Sequence, residues 1–458
     1  MAVAHVADQD ASGIGAVVLE RSTLLTAALA VVLRLAWVLA FARTPTGLSD
    51  PKIYHIAAQG IADGDGYRSI TGELTTYYPP GYPYALGWLY RVANAVGLDD
   101  RLPYVVGAVQ SLLWGVAVIA VVIIGRQVGG RACGVAAGLV LATWPNLITY
   151  AGAHLSESLF VALFACAIAA ICVATVANGD RFTRGFVIPI GVAGGLIGLA
   201  AMVRPQVLLV VPVVAAVWLW SRIGSARSVA LIVACAVGTA ILAAPWAVRN
   251  ARDLGEPVFI ASNSGDNLCL GYNPQATGGF GMFEACETGE FYVDGPDAEL
   301  RRNKQNRRKA FDYIADEPIS IPVLAAKKLW ITVKADDDGL RANESYGATE
   351  IMSPRWRTVW RLLSHLAYLL IAAATAWGTG LAIGRIRRAG RGEQPLLLCL
   401  VALGAAGLAV PMLIFGDPRF KVPSTPIFAV MAGLTIAQLV ESYRRCQAPA
   451  VTLRRSAQ

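Results

Sequence analysis

The residues best suited to chemistry sit at the edges of long apolar runs. Ser49, Asp50 and Pro51 precede Lys52, Ile53 and Tyr54. A serine before Asp-Pro reads as a helix cap and first turn, so a helix is expected to begin there. Ile53, Ala57 and Ile61 would form its apolar face, with Asp50 and Tyr54, four residues apart, on another. The positive end of the helix dipole favours ionised Asp50, which suits a general base near neutral pH. The same residue could equally serve only to strengthen the cap.

Glycines 60, 64 and 66 with Asp63 and Asp65 should end that helix, and Tyr77, Tyr78, Pro79, Pro80, Gly81, Tyr82 and Pro83 follow as a rigid aromatic loop. Such a loop can wall a site, with Tyr78 as a binding residue, or sit as an aromatic belt at headgroup level. His154, Ser156, Glu157 and Ser158 form another polar turn. Glu157 at a membrane edge is costly without work or a partner, although a capping role competes. Arg204, just before Pro205, is a candidate anion ligand.

Arg249 and Asn250 follow Pro245-Trp246, and Arg419 and Lys421 follow Gly416-Asp417-Pro418. These cations need a counter-charge, such as a lipid phosphate or a phosphorylated ligand. Asn263 and Asn267 lie in a stretch rich in hydrogen-bonding groups, which suits a sugar but also ordinary turn geometry. Cys269 and Cys286 share that polar stretch, which leaves room for one disulfide if it faces an oxidising compartment. The other cysteines offer no metal motif.

The elements that position these groups follow from composition. With 55% hydrophobic and 15% charged residues and a mean hydropathy of +0.52, the chain is far too apolar for a soluble domain. Ten runs approach the length of a spanning helix, at residues 22–41, 104–124, 132–150, 157–177, 186–203, 207–220, 229–246, 362–383, 395–415 and 422–440. Residues 84–97 form a shorter run that contains Arg91 and Asn94.

If residues 84–97 do not span, Arg126, Arg131, Arg181, Arg184, Arg222 and Arg227 all fall on one side, with Arg385, Arg387, Arg388, Arg391 and the C-terminal arginines. The positive-inside rule favours that arrangement, and residues 84–97 are therefore expected to lie along the outer interface. The resulting map has residues 1–21 cytoplasmic, 22–41 as the first span, 42–103 as an outer loop and 104–246 as spans two to seven. Residues 247–361 form a second outer segment, 362–440 the last three spans and 441–458 a cytoplasmic tail. Both termini are then cytoplasmic in a multi-pass plasma-membrane protein, and the polar constellation lies on the extracytoplasmic face. A basic helix is expected at residues 297–316 and an amphipathic one at 322–333, with Lys327, Lys328 and Trp330 at the interface. Arg34, inside the first span, is expected to snorkel or pair within the bundle.

Taken in order, Ser49-Asp50-Pro51 with Tyr54, Tyr78 to Pro83, Ser156-Glu157, Arg204-Pro205, Pro245-Trp246 with Arg249-Asn250, Asn263 to Pro274 and Pro418-Arg419-Phe420 resemble integral-membrane GT-C glycosyltransferases. The likeness is to bacterial relatives of protein mannosyltransferases and aminoarabinose transferases, which use polyprenyl-phosphate sugars. It implies an all-α polytopic fold of GT-C type, with juxtamembrane helices and a small extracytoplasmic insertion. It further implies that Asp50 deprotonates or orients an acceptor hydroxyl that attacks the anomeric carbon, with inversion, while arginine and lysine hold the departing phosphate. The acceptor would be a lipid, a glycan or a protein. Membrane lipids are the other expected partners and nucleic acid is not one.

Many such relatives carry two adjacent acidic residues where Pro51 follows Asp50 here, and no histidine cluster is present. No cofactor or dedicated metal site is therefore expected, although Asp50 and Glu157 could share a divalent ion. A flippase for a lipid-linked glycan is the alternative, and would call for charged residues on broken helices in mid-membrane, of which Arg34 is one of few. A non-catalytic scaffold is a third reading.

Overall fold

Apolar runs of about twenty residues can satisfy their backbone in a membrane only as helices, and the computed structural model is built almost wholly of them. It describes residues 11–177, 182–221, 223–288, 295–390 and 392–447. In chain order the first helices are α1 (Ala11–Leu19), α2 (Arg21–Phe41), α3 (Asp50–Asp63), α4 (Gly81–Ala95), α5 (Leu102–Thr143) and α6 (Pro145–Thr149). There follow α7 (Glu157–Val176), α8 (Arg184–Val203), α9 (Val210–Trp220), α10 (Ser225–Leu254), α11 (Ser264–Gly271) and α12 (Pro296–Asp316). The last five are α13 (Ser320–Val333), α14 (Asp338–Asn343), α15 (Pro354–Arg388), α16 (Pro395–Leu413) and α17 (Thr425–Gln447). No strand occurs among the described residues, only isolated bridges between Arg68 and Leu74 and between Gly279 and Gly416. The protein is an all-α polytopic membrane protein.

Eight helices are long and apolar enough to cross a membrane: α2, α5, α7, α8, α10, α15, α16, and α17 with the turn before it. The 42-residue α5 is in fact a hairpin. Gly129 and Gly130 leave helical geometry, Gly130 at φ 76°, a conformation costly for any residue with a β-carbon. Beyond that turn the chain doubles back, so that a β-carbon on Gly138 would touch Val122 on the first arm. With the two arms of α5 and the shorter Pro205–Trp220 segment, the apolar helical segments match the ten runs of the sequence. Residues 84–97 contribute to α4, a 15-residue helix that buries Tyr82, Leu86, Tyr90 and Ala93 and leaves Trp88 and Val92 exposed.

In hydrocarbon, helices associate through close packing of small residues rather than through a hydrophobic effect. The crossing of α8 and α10 is one such case: a β-carbon on Gly238 would lie 2.2 Å from the Gly194 carbonyl oxygen. Arg34 neither snorkels nor meets a carboxylate. Its guanidinium donates to the carbonyls of Ala30 (3.1 Å), Ala142 (3.0 Å) and Leu141 (3.2 Å) and stacks 4.6 Å from the Trp114 ring. It thereby fastens α2 to the second arm of α5. The basic and amphipathic helices expected near residues 297–316 and 322–333 are α12 and α13. Lys328, however, is buried over the Tyr272 ring at 3.3 Å rather than interfacial. Burial pushes its amine down to about 7.

Gly238→Val should separate α8 from α10 and cost about 1–3 kcal/mol, as overpacking does elsewhere. A thermal unfolding midpoint in detergent lowered by several degrees is the expected result, and an unchanged midpoint would contradict the packing described.

Candidate active site

α3 begins where the sequence pattern places it, with Asp50 in its first turn and Gly64, at φ 97°, as its left-handed cap. Ser49 takes the extended backbone of a cap, but its hydroxyl finds no partner. The role of Asp50 is therefore not reducible to a capping pair. Its carboxylate accepts from the Tyr78 hydroxyl at 2.5 Å and pairs with Arg419 at 2.5 Å. Burial pushes the pKa of Asp50 up, but the charge of Arg419, the Tyr78 hydroxyl and, farther off, Arg204 outweigh it and hold the group below its ordinary value.

Each partner is itself fixed from outside. Tyr78 follows Thr75 and Thr76, which together with Ser262 hydrogen-bond the buried carboxylate of Glu299 on α12. Tyr54 packs its ring against Tyr78 (5.0 Å) and edge-on to Tyr82 (5.1 Å). Arg419 lies in the short turn Pro418–Ser424, capped by Asp417, which accepts from the Arg419 backbone N–H at 2.9 Å. Lys421 anchors the same turn. It is buried, pairs with Asp336 at 3.2 Å and donates to the carbonyls of Ala335 (2.5 Å) and Pro418 (3.1 Å).

Asp50, Tyr54, Tyr78, Arg204, Asn263, Asn267 and Arg419 line one cavity of about 1160 Å³. Seven expected site residues thus come together from α3, the aromatic loop, the α8–α9 turn, α11 and the turn before α17. Glu157 stands just behind that wall, fully buried and ion-paired to Arg204, which also donates to Ser156 at 3.1 Å. Asn263 and Asn267 are held at the wall because Asp266 docks α11 on Arg302 (3.3 Å) and Asn306 (2.8 Å) of α12. The disulfide between Cys269 and Cys286 is formed. It ties α11 to the segment that contributes Thr277, Phe280 and Met282 to the cavity.

Four expected residues lie elsewhere. Arg249 stacks 5.0 Å from the Trp246 ring and pairs with Asp253 at 3.1 Å. Asn250 donates to the Val258 carbonyl at 2.6 Å and so shapes the end of α10. Lys421 serves Asp336 as described. His154 is buried edge-on to His55 at 5.7 Å, outside the cavity lining. Burial lowers His154 to about 3 and His55 to about 4, which keeps both imidazoles neutral at pH 7.

Residues not anticipated complete the wall: Lys334, Asp337, Arg341, Tyr346, Arg361 and Asp417. Arg361 pairs with Asp337 at 2.7 Å. Lys334 is exposed, and Arg341 meets a carboxylate, Asp338, only at 4.0 Å. Tyr346 and the preceding Ser345 both adopt positive φ, 55° and 48°, a conformation that stores strain at functional walls. Asp338 is fully buried, accepting from Tyr150 at 3.2 Å and Tyr346 at 3.4 Å. Burial and then the nearby Asp417 raise its pKa. The run Asp336-Asp337-Asp338 was the available signal, since three adjacent acids in an apolar chain need partners. Their cationic partners lie too far along the chain to be named from it.

The cavity changes character with depth. From its polar end it runs between Phe160 and Phe164 of α7, Val210 of α9, and Leu403, Ala406 and Val410 of α16. Leu403 is ten residues from the site end of α16, roughly 15 Å along the helix. No group of three His, Cys, Asp or Glu side chains suited to a metal occurs among the described residues. The carboxylates that could have shared an ion, Asp50 and Glu157, are each neutralised by an arginine instead, so the donor set does not fit one.

No protein-family model matches the sequence, and no curated protein matches it. Solved structures do. The apo oligosaccharyltransferase of Archaeoglobus fulgidus superposes with a TM-score of 0.56 at 14% identity, over 95% of this chain and 52% of that one. The fold is GT-C-like. The archaeal oligosaccharyltransferase AglB from Archaeoglobus fulgidus, in complex with an inhibitory peptide and a dolichol-phosphate, gives a TM-score of 0.55 at 13% identity over 95% and 52%. A weaker similarity, with a TM-score of 0.43 at 13% identity over 92% and 78%, runs to ArnT from Cupriavidus metallidurans bound to undecaprenyl phosphate. The chain spans about half the length of the oligosaccharyltransferase structures.

Arg204→Met should leave Glu157 buried and uncompensated and cost about 3–5 kcal/mol, whereas Glu157→Met with Arg204→Met should recover most of that loss. Thermal unfolding of the single and double variants measures both. Equal losses in the two would show that the pair does not couple.

Proposed function

We propose that this protein is a membrane glycosyltransferase that moves a sugar from a polyprenyl-phosphate donor to an acceptor hydroxyl, on the face away from the cytoplasm. The observation that carries the proposal is the Asp50–Arg419 pair at the polar end of a cavity whose other end is an apolar groove. A lipid-linked sugar has the same division, with a hydrocarbon tail, a phosphate and a polar ring. The dolichol-phosphate in the structurally similar AglB has two of these parts, the tail and the phosphate.

Phosphate leaves carrying negative charge, and fixed cations stabilise it as it departs. Lys334 and Arg341 border the cavity without a close carboxylate, and Arg204 and Arg419 face it from the other walls. In the transfer the acceptor oxygen forms its bond to the anomeric carbon as the bond to the phosphate oxygen breaks. The hydroxyl proton passes to Asp50, and a single displacement inverts the anomeric centre.

A carboxylate held below its ordinary pKa is a poor proton acceptor. The ion pair explains how that is overcome. A donor phosphate competes for Arg419, and with the strongest of its opposing charges drawn away, burial weighs more on Asp50 and raises its proton affinity. Asn263, Asn267, Tyr54 and Tyr78 offer hydrogen bonds to sugar and acceptor hydroxyls.

The outward placement rests on charge. The α5 turn carries Arg126 and Arg131, and the far ends of α15 and α17 carry Arg385, Arg388 and Arg445, all remote from Asp50. A fluorescent reporter fused after Arg131 should fold in the cytoplasm, and an outward-facing reporter would overturn the orientation.

Asp50→Asn should reduce transfer from radiolabelled prenyl-phosphate mannose, arabinose or glucose by about 100-fold or more, with the folded protein still in the membrane. Retained activity would remove Asp50 as the base. In active protein the acidic limb of kcat/KM should lie below the usual carboxylate range. Arg419→Gln should move it to higher pH, because burial is then uncompensated.

A further inference from the structure

A second cavity, of about 280 Å³, lies at the opposite end of the bundle, between the α5 turn, the last turns of α15 and the far half of α17. Arg361 of α15 borders the first cavity and Arg385 the second. Their separation of 24 residues along α15 spans roughly 36 Å, more than the ~30 Å hydrocarbon core of a bilayer. The two cavities therefore face opposite surfaces of the membrane.

Its chemistry is unbalanced. Arg385, Arg388 and Arg445 reach its wall, and the one acid there, Glu441, is ion-paired to Arg445. Neither Arg385 nor Arg388 has a carboxylate within ion-pairing distance among the described residues. The arginines of the neighbouring α5 turn differ, since Arg126 and Arg131 both pair with Glu20. A general excess of positive charge in cytoplasmic loops accounts for basic residues at this end. It does not account for two uncompensated guanidinium groups converging on one cleft between helices.

An apolar track continues from the cleft. Trp377, Leu381, Arg385 and Arg388 recur at helical spacing along one stripe of α15, and Trp377 is exposed. Leu381 of the same stripe lines the cleft itself. A ligand that satisfies both parts carries an anion and hydrocarbon together.

We infer that this cleft is a binding site for the headgroup of an anionic phospholipid of the inner leaflet. Arg385 and Arg388 hold the phosphate, Gln438 and Ser442 meet the headgroup oxygens, and the acyl chains lie along Leu381 and Trp377. Basic pockets between spanning helices suit such lipids, and each cation contributes about 1 kcal/mol. For two arginines that is about a thirtyfold preference over a zwitterionic lipid of the same chain length.

The test is independent of catalysis. The full chain, purified and delipidated in mild detergent, is titrated with phosphatidylglycerol, phosphatidylcholine of equal chain length, or inorganic phosphate, and bound lipid is counted by native mass spectrometry. Phosphatidylglycerol should be retained about thirtyfold over phosphatidylcholine, and millimolar phosphate should not displace it. Arg385→Gln with Arg388→Gln should abolish the preference, whereas Arg387→Gln, on the same turn but outside the cleft, should keep it. All these positions are exposed, so folding should survive, which an unchanged unfolding midpoint checks. The inference is overturned if the double variant keeps the preference, if the two lipids bind alike, or if phosphate alone competes on equal terms.

Discussion

A carboxylate placed away from water must be paired with a cation or fully hydrogen-bonded, and much of this protein's architecture outside the apolar packing answers to that demand. Asp50 finds Arg419, Glu157 finds Arg204, Asp336 finds Lys421 and Asp266 finds Arg302. Most of these pairs join segments far apart in the chain, so charge compensation itself draws α3, α7, α11 and the turn before α17 around one cavity. An unpaired charge in such surroundings costs several kcal/mol, which makes the arrangement nearly all-or-none. The apolar helices decide that there is a bundle. The ion pairs decide which of their ends meet.

In the proposed mechanism the pairing also reconciles rigidity with reaction. Arg419 is held at its backbone by Asp417 and through Lys421 by Asp336, while its guanidinium pairs with Asp50 and lies 5.8 Å from the Phe420 ring. The backbone can stay fixed while the charge changes partners. Glu157 and Arg204, by contrast, sit deeper, with the Arg204 Nε also engaged by Ser156. That pair supports the wall, and only the cavity-facing side of Arg204 remains for a ligand.

Some of this was legible in the sequence because it is local. Ten apolar runs and the Ser49-Asp50-Pro51 helix start express short-range rules, and both reappear in the structure. The cavity residues on α14 and α15 were not legible, because nothing near Arg341 or Arg361 in the chain says that they face Asp50. Arg249, Asn250 and Lys421 show the complementary failure. A cation at the end of an apolar run reads the same whether it faces a ligand, stacks on a tryptophan or neutralises a buried acid. His154 likewise looked available beside Glu157, but its imidazole packs on His55 while the Glu157 carboxylate meets Arg204.

The exposure of α15 has a wider meaning. Only 11% of its most apolar window is buried within the protein, and its inner contacts fall mainly on α17, where Gly378 approaches the Met431 carbonyl. Most of its side-chain packing must come from lipid chains. The helix also carries Arg361 in the cavity wall and, beyond the opposite membrane surface, Arg388. Bilayer thickness therefore becomes a structural parameter of the site: tilt adjusts α15 to the hydrocarbon depth, and a change at one leaflet is felt at the other. In that respect the surrounding lipid behaves as a missing helix of the bundle.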